Sequence, residues 1–148
     1  TRKVNIFERD KNRLEVAGIR IIKYPIDYTN SATGIPENDW VYYRYSDVLL
    51  MKAEALLRTQ QPALALALVN QIRVVRKATI WTAVTLDQLL DERGREFFWE
   101  GVRRQDLIRF GKYLTPWQEK PTDDPKYLVF PIPSNQLANP NYTQNPGY

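Results

Sequence analysis

Apolar residues recur at helical spacing through the middle of the chain and predict two neighbouring α-helices. The first runs from about Tyr45 to Arg58, and its apolar face comprises Tyr45, Leu49, Ala53, Leu56 and Leu57. The second begins near Pro62, because a missing N–H costs nothing in the first turn of a helix. Its stripe comprises Leu64, Leu68, Ile72 and Val75. Ala67 and Val74 add a second apolar side, so we expect this helix to pack on two neighbours. The short connection predicts an antiparallel αα-hairpin.

A second helical pair is predicted further along the chain. Thr85 and Gln88 form a T-x-x-Q capping box, which indicates a helix that starts at Thr85. Its stripe comprises Leu86, Leu90, Gly94 and Phe97. A helical glycine costs roughly 1 kcal/mol relative to alanine, so we expect close contact with a partner helix at Gly94. Gly101 is expected to end this helix. A fourth helix is predicted over about Arg104–Lys112, and two successive hairpins favour a mainly α, TPR-like architecture.

The two ends of the chain lack the helical pattern. Residues 1–43 are predicted to be a loop-rich lead-in, with a short strand at Ile19–Tyr24 and an exposed loop over Tyr28–Trp40. The segment Pro116–Pro133 holds five of the ten prolines, which excludes α-helix and central strands. We therefore expect a single domain over 1–148, in which a Pro-rich tail of 114–148 wraps the helical core of 44–113, with long ordered loops.

Composition excludes several classes of function. The chain has no His and no Cys, so it offers no His base, no Cys nucleophile and no His or Cys metal site; no cofactor is expected. The net charge of +4 is spread over interleaved charges, and no basic run exceeds Arg103–Arg104. A nucleic-acid partner needs a clustered basic face, so none is expected. No apolar run reaches the ~20 residues that span a bilayer. The missing initiator Met suggests a piece of a longer protein.

Charged residues accompany the apolar stripe of the third helix. At 100° per residue, Arg93, Glu96 and Glu100 lie within about 80° of Leu86 and so flank or enter the face to be buried. The two glutamates are four residues apart, a spacing at which like charges repel on a helix. Cations must therefore offset them. The nearby candidates are Arg93, Arg103 and Arg104, and Asp106 with Arg109 extends the set.

Two interpretations of these charges compete. Glu96 and Glu100 could be a catalytic carboxylate pair, as in glycoside hydrolases, where one acid stays protonated. Alternatively, the charges form a structural network of arginine–carboxylate pairs that fixes how the third and fourth helices meet. Surrounding arginines lower carboxylate pKa values, whereas a general acid needs a raised pKa. We therefore predict no catalytic residue and a structural ion network of Arg93, Glu96, Glu100, Arg103, Asp106 and Arg109.

Sequence motifs follow one another in order from Arg44 to the last residue. Glu92–Gly111 fits ER-x-x-EF-x-x-EG-x-R-x-x-DL-x-R-x-G, and Arg44–Ala55 reads RYSDVLLMKAEA. The others are N-x-IR at 70–73, PIP at 131–133, NP at 139–140 and QNPGY at 144–148. Together these motifs resemble those of the SusD/RagB family. Ser46, Val102 and Gln105 depart from the family pattern, which has Ala, often His and an aromatic residue there, but no departure removes a charge from the network.

The resemblance implies a helical, TPR-based lipoprotein on the outer surface of the outer membrane of Bacteroidetes cells. Such proteins capture glycans, or peptides in some branches, without cleaving them, and they act with a SusC-type TonB-dependent transporter. The lipid anchor is N-terminal and absent from this chain. Family members are several-fold longer, so we expect the C-terminal part of such a protein, with QNPGY at its true end. The alternatives are a TPR-type scaffold for a peptide or protein, and a glycoside hydrolase using Glu96 and Glu100.

Aromatic residues in loops are the candidates for ligand contact, because aromatic rings pack on the C–H faces of sugars. The candidates are Trp81, Trp40, Tyr28 and Trp117, with Tyr113 as a further loop aromatic. Trp81 is the strongest, since it lies outside any helical stripe. The alternative role for each is a half-buried ring that anchors its loop. The resemblance implies that ligand contacts come mainly from preceding portions of family members, so the motif residues are not expected to bind ligand.

Overall fold

The computed structural model describes residues 23–24, 38–117, 120–121 and 123–148, and these residues are mainly helical. The elements are α1 (Tyr45–Arg58), α2 (Pro62–Val75), α3 (Leu86–Glu96), α4 (Arg103–Arg109) and a short 3-10 helix at Pro125–Leu128. Within these ranges there is no β-strand, although Trp117 and Lys120 form one antiparallel bridge. The mainly α prediction is confirmed. Among the described helices, none is long and apolar enough to cross a bilayer.

Backbone contacts divide the chain into two compact units, Thr1–Val41 and Tyr42–Tyr148. In the first, the described residues include Tyr24 and Trp40, whose rings stack with centroids 5.4 Å apart. The predicted strand at 19–24 and the predicted loop at 28–40 lie largely outside the described residues, and so does Tyr28. The single domain over 1–148 stays a prediction. The helices all belong to the second unit.

The α1–α2 connection follows from how α1 ends. Gln60 adopts a left-handed conformation, with φ of 60°, after the C-cap residue Thr59. The Gln60 N–H then donates to the Leu57 carbonyl and the Gln61 N–H to the Leu56 carbonyl, which is the Schellman pattern. Helix α2 starts directly afterwards at Pro62, as predicted. The three-residue connection makes α1 and α2 a packed hairpin.

The buried core corrects the two predicted stripes. Helix α1 packs on both α2 and α3, so Leu50 is fully buried while Tyr45 is exposed. On α2 the predicted Leu64 and Val75 are exposed, as are Ala67 and Val74 of its second apolar side. The fully buried α2 residues are Ala65 and Val69. Helix α2 is apolar almost all round, so periodicity does not choose its inner face. Ala53 and Ala65 are both fully buried, and small residues allow the backbones of α1 and α2 to approach closely.

Helix α3 begins as predicted but ends early. The Thr85 hydroxyl accepts from the Gln88 N–H and the Gln88 side chain accepts from the Thr85 N–H, which confirms the capping box. The helix ends at Glu96 and not at Gly101, because Trp99 and Gly101 both have positive φ, and the Glu100 N–H bonds back to the Phe97 carbonyl in a turn. Glu100 therefore lies in the turn after α3, and its predicted place on the helix was wrong.

Helix α4 spans Arg103–Arg109, shorter than the predicted 104–112. It ends where Gly111 takes a φ of 67°, and the Lys112 N–H donates to the Leu107 carbonyl at 2.7 Å, again a Schellman pattern. The close contact predicted at Gly94 is confirmed, since a Cβ there would lie 2.8 Å from Nη1 of Arg103. Because Gly94 has no side chain, there is room for the Arg103 guanidinium of α4 to pack against it.

The tail folds back on itself through two of its motifs. The Gln144 side chain pairs with both backbone groups of Ile132, with distances of 2.8 and 3.0 Å, so QNPGY is bound to PIP. The Asn145 amide donates to the Phe130 carbonyl. Arg104 of α4 donates to the Tyr127 carbonyl at 2.7 Å, and its guanidinium lies 4.1 Å from the centroid of the Phe130 ring. The tail is therefore attached to α4.

Candidate functional site

Buried charges are the main feature of the helical unit. Seven charged residues among the described ones are buried, namely Asp47, Glu54, Arg73, Glu92, Arg93, Glu96 and Asp106. Burying a charge is unfavourable unless it is paired and hydrogen-bonded. In the described part of the chain, no buried side-chain nitrogen or oxygen lacks a hydrogen-bond partner. The charges form three clusters.

The first cluster joins α1, α3 and α4 through Arg93. Its Nη1 donates to Asp47 of α1 at 2.9 Å, and its Nε donates to Asp106 of α4 at 2.7 Å. Asp106 also accepts from Arg109, whose two terminal nitrogens bind both oxygens of Glu54 at 2.7 and 2.9 Å. Such bidentate pairs fix direction as well as distance. The three helices are thereby held in one arrangement.

The second cluster is organised by Arg44, which precedes α1. Its Nε and Nη2 donate to the two oxygens of Glu100 at 2.8 and 2.9 Å, and its Nη1 donates to Glu96. Nη2 also donates to the Glu96 carbonyl. Arg76 at the end of α2 adds two further hydrogen bonds to Glu96, at 2.7 and 3.0 Å. The Arg44 guanidinium thus bridges Glu96 and Glu100. Their spacing in the sequence predicts that these two carboxylates repel each other and need a cation between them.

The Glu96 carboxyl group is ionised at neutral pH. Burial on its own would raise the pKa of its carboxyl, but the hydrogen bonds and charges of Arg76 and Arg44 outweigh burial and lower the pKa to about 2. The pKa of Glu54 is lowered in the same way, since the bonds from Arg109 and Arg58 outweigh its burial. A general acid needs a raised pKa, so these carboxylates are poorly suited to donate a proton.

The pKa of Glu96 predicts how stability depends on pH. The folded-state pKa lies below the ordinary value of 4.5, so Glu96 adds stability above about pH 4.5 and loses it as the pH falls towards 2. Between pH 7 and pH 3, urea denaturation should show a smaller loss of unfolding free energy in Glu96→Gln than in the wild type. The control Asp87→Asn removes an exposed carboxylate and should keep the wild-type slope. An unchanged slope in Glu96→Gln would contradict the pairing.

The third cluster surrounds Trp81. Arg73 binds Glu92 at 2.5 Å and donates to the Thr79 carbonyl at 2.7 Å, and its guanidinium lies 4.1 Å from the centre of the Trp81 ring. The Asn70 side chain pairs with both backbone groups of Trp81 at 2.9 Å. The ring is half-buried and packs against the hydrophobic core. These contacts suit a loop anchor, and ligand contact by Trp81 stays a prediction.

The other predicted site residues are dispersed. Trp40 stacks on Tyr24 in the first unit, while Trp117 is half exposed with the Lys120 ammonium 3.9 Å from its ring centre. Tyr113 is partly buried. Arg103 donates to the Leu90 carbonyl and approaches Asp91 only at 3.9 Å, so it does not join the three clusters.

Several members of the clusters were missed by the sequence analysis. They are Arg44, Asp47, Glu54, Arg73, Arg76 and Glu92. A usable signal was present on α1, where Asp47, Leu50 and Glu54 share one face at spacings of three and four residues. Charged residues that share a helix face with a buried leucine are expected to be buried as well. Their partners Arg93 and Arg109 carry no such signal, because they lie 46 and 55 positions away along the chain.

Cavities lined by described residues of the helical unit include three with volumes of about 240 to 320 Å³. One of about 270 Å³ lies between the start of α1 and the end of α2, next to Arg44 and Arg76. A second, of about 240 Å³, is lined by residues of α3 and α4 together with Trp117. The third, of about 320 Å³, lies between α3 and the turn at 97–102. Among the described residues, no group of three or more carboxylates that could hold a metal ion comes together.

Comparison with known proteins gives a consistent result. The chain is 36% identical to the starch-binding protein SusD of Bacteroides thetaiotaomicron over 76% of this chain and 22% of the relative. It is 32% identical to the SusD-like protein P38 of Formosa agariphila, over 88% of this chain and 28% of the relative. The SusD-like protein P25 of the same organism is 31% identical over 78% of this chain and 25% of its own length. The chain thus spans about a quarter of the length of these relatives.

A sequence model of the SusD family matches residues 9–148, nearly the whole chain. This range includes the helical unit, the three charge clusters and the tail bound to α4. The motifs of the sequence analysis therefore coincide with residues that have defined structural positions here. The chain belongs to the SusD family.

Proposed function

We propose that this chain is part of a nutrient-binding protein that captures glycan at the outer face of the outer membrane and passes it to a SusC-like, TonB-dependent transporter. The observation that carries the proposal is the 36% identity to a protein named for starch binding. The relatives are about four times longer, so binding and transport belong to a longer polypeptide of this kind. Attachment to the membrane is proposed to occur through an N-terminal lipid of that longer polypeptide.

The proposed binding is non-catalytic. Glu96 is ionised with a pKa of about 2, and Arg44 holds Glu96 and Glu100 together in hydrogen bonds from one guanidinium. A glycoside hydrolase needs one carboxyl that keeps its proton and a second that is free to reach the sugar. The geometry of these two glutamates supports a structural role. The described residues also supply no histidine or cysteine for other hydrolytic chemistry.

The aromatic rings Trp40, Trp117 and Tyr28 remain proposed ligand contacts, together with Trp81. Trp40 and Trp117 are better suited to this role, since both are about half exposed. Trp81 is the weaker choice because Arg73 and Asn70 already hold its ring and backbone. Exposed tryptophan combines a flat apolar face with a polar edge, which suits the mixed surface of a pyranose.

Isothermal titration calorimetry with starch-derived oligosaccharides tests the proposal. We expect saturable binding to the full-length wild-type polypeptide and no increase in reducing ends during a parallel incubation. Glu96→Gln and Glu100→Gln serve as matched chemical controls. Turnover that disappears in either variant would show a hydrolase. Binding of extended peptides in place of sugars would favour the TPR-type scaffold.

A further inference from the structure

The turn between α3 and α4 presents two large aromatic side chains at its surface. Trp99 is 62% exposed and Phe98 is 57% exposed, although both follow the buried Phe97 directly. Their rings lie 6.4 Å apart and line the cavity of about 320 Å³ together with Val102 and Arg103. Pockets of this size with aromatic walls and few polar groups are typical of small-molecule sites. The family motif leaves the positions of Phe98 and Trp99 open.

Trp99 is held in an uncommon backbone conformation. Its φ is 66°, in the left-handed region that bulky residues rarely adopt. The hydrogen bond from the Glu100 N–H to the Phe97 carbonyl, at 3.0 Å, closes the turn around it. Arg44 binds both Glu96 and Glu100 and so fixes the turn on either side of Trp99. Strained residues held by their surroundings are concentrated at ligand sites.

Two arginines line this cavity, Arg93 and Arg103, and Arg93 is already engaged by Asp47 and Asp106. Arg103 is the less engaged of the two. Its Nη1 donates to the Leu90 carbonyl at 2.7 Å, and its guanidinium lies directly over Gly94. Among the described residues this is its one hydrogen bond, so it engages one of five N–H donors. The carboxylate of Asp91 lies 3.9 Å away and offsets the charge. A fixed fork of donors with little net charge nearby suits neutral hydroxyl groups better than an anion.

Arg103 also lines the cavity of about 240 Å³ that contains Trp117. Arg103 is therefore common to both cavities, and each of them is lined by one tryptophan. The cavity between α1 and α2 differs, because its arginines Arg44 and Arg76 are engaged by Glu96. Each cavity thus combines one tryptophan ring with the same arginine, and sugars present apolar ring faces beside hydroxyl groups.

We propose that the Trp99 cavity and the Trp117 cavity form one glycan-binding groove, with the two tryptophans as platforms for sugar rings and Arg103 as the central hydroxyl donor. This inference rests on the proposed glycan-binding function. It assigns the ligand to the surface of α3, α4 and their turn, and it gives one motif residue, Arg103, a ligand contact that the sequence analysis did not expect. Glu96, Glu100 and Arg44 position the turn and do not touch the sugar.

Calorimetric titration of the full-length wild-type polypeptide and four variants with starch-derived oligosaccharides tests the groove. Trp99→Gly removes the ring and relieves the positive φ, so affinity should fall about tenfold while thermal stability stays equal or rises. Trp117→Ala and Arg103→Lys should also weaken binding, the latter because lysine lacks the planar fork. Tyr42→Ala removes a ring that is 82% exposed and should bind as the wild type does.

Tryptophan fluorescence gives a second measurement, since the chain has four tryptophans. The emission change on titration should be smaller in Trp99→Gly than in the wild type. If the wild type binds sugar and the Trp99, Trp117 and Arg103 variants bind equally well, the groove is overturned and the proposed function stands. A wild type that binds no oligosaccharide overturns both. Weakened binding in these three variants, with Tyr42→Ala unchanged, supports the groove.

Discussion

Replacing Arg93 by alanine should lower the free energy of unfolding by about 3–5 kcal/mol. Arg93 is 4% exposed, and its guanidinium binds Asp47 and Asp106, which are themselves buried. Its removal leaves the Asp47 carboxylate without the partner that compensates its desolvation. Three helices meet at this residue, so the loss also removes one of the links between α1 and α4 and leaves the Arg109–Glu54 pair as the other. Urea denaturation followed by far-UV circular dichroism measures the change.

Two further variants distinguish the loss of the buried Arg93 contacts from the loss of a positive charge in general. Arg93→Lys keeps the charge but cannot reach both carboxylates with a planar fork, so we expect an intermediate loss. Lys112→Ala breaks an exposed pair with Asp87, at 3.2 Å, and should cost less than about 1 kcal/mol. Equal stability of Arg93→Ala and the wild type would place Arg93 in solvent and contradict the arrangement of the first cluster.

Replacing Phe97 by alanine should destabilise the protein by about 3–5 kcal/mol. The ring is 3% exposed and belongs to the same core as Leu50 and Leu89. The guanidinium groups of Arg44 and Arg93 lie 4.6 and 5.0 Å from its centre. Truncation therefore opens a cavity and removes two cation–π contacts at once. The midpoint and slope of a urea denaturation curve measure the loss.

The neighbouring residue supplies the matched control for Phe97. Phe98→Ala removes the same side chain from an exposed position one residue later and should change stability by less than about 1 kcal/mol. Phe97→Leu retains most of the apolar volume but loses the aromatic face, so we expect a loss between those of the two alanine variants. Comparable destabilisation by Phe97→Ala and Phe98→Ala would show that the turn is oriented differently.

Phe97 and Arg93 both support the turn on which the proposed groove lies. Phe97 joins the hydrophobic core to the Arg44 cluster, and Arg93 joins α3 to α4. The turn that carries Trp99 begins at Phe97. It lies between α3 and α4, the two helices that Arg93 joins. Stability and ligand position are thus linked through the same charges, so variants of the clusters should be compared for binding only where they remain folded.

The sequence by itself determined the local features of this protein. Helical spacing located α1 and α2, Pro62 and the Thr85 capping box marked two starts, and the cost of a helical glycine indicated close contact at Gly94. Each of these depends on residues within a few positions of one another, where propensity and capping act. The ordered motifs also sufficed to identify the family.

Only the tertiary structure decided the partners of the buried charges, the inner face of α2 and the end of α3. Arg44 reaches Glu100 across 56 positions, and no local pattern encodes such a pairing. The sequence of α2 is apolar on nearly all sides, so packing of Ala65 against α1 selected its buried face. At the end of α3, burial of Phe97 and the hold of Arg44 on Glu100 favour a turn where helix propensity alone would continue the helix.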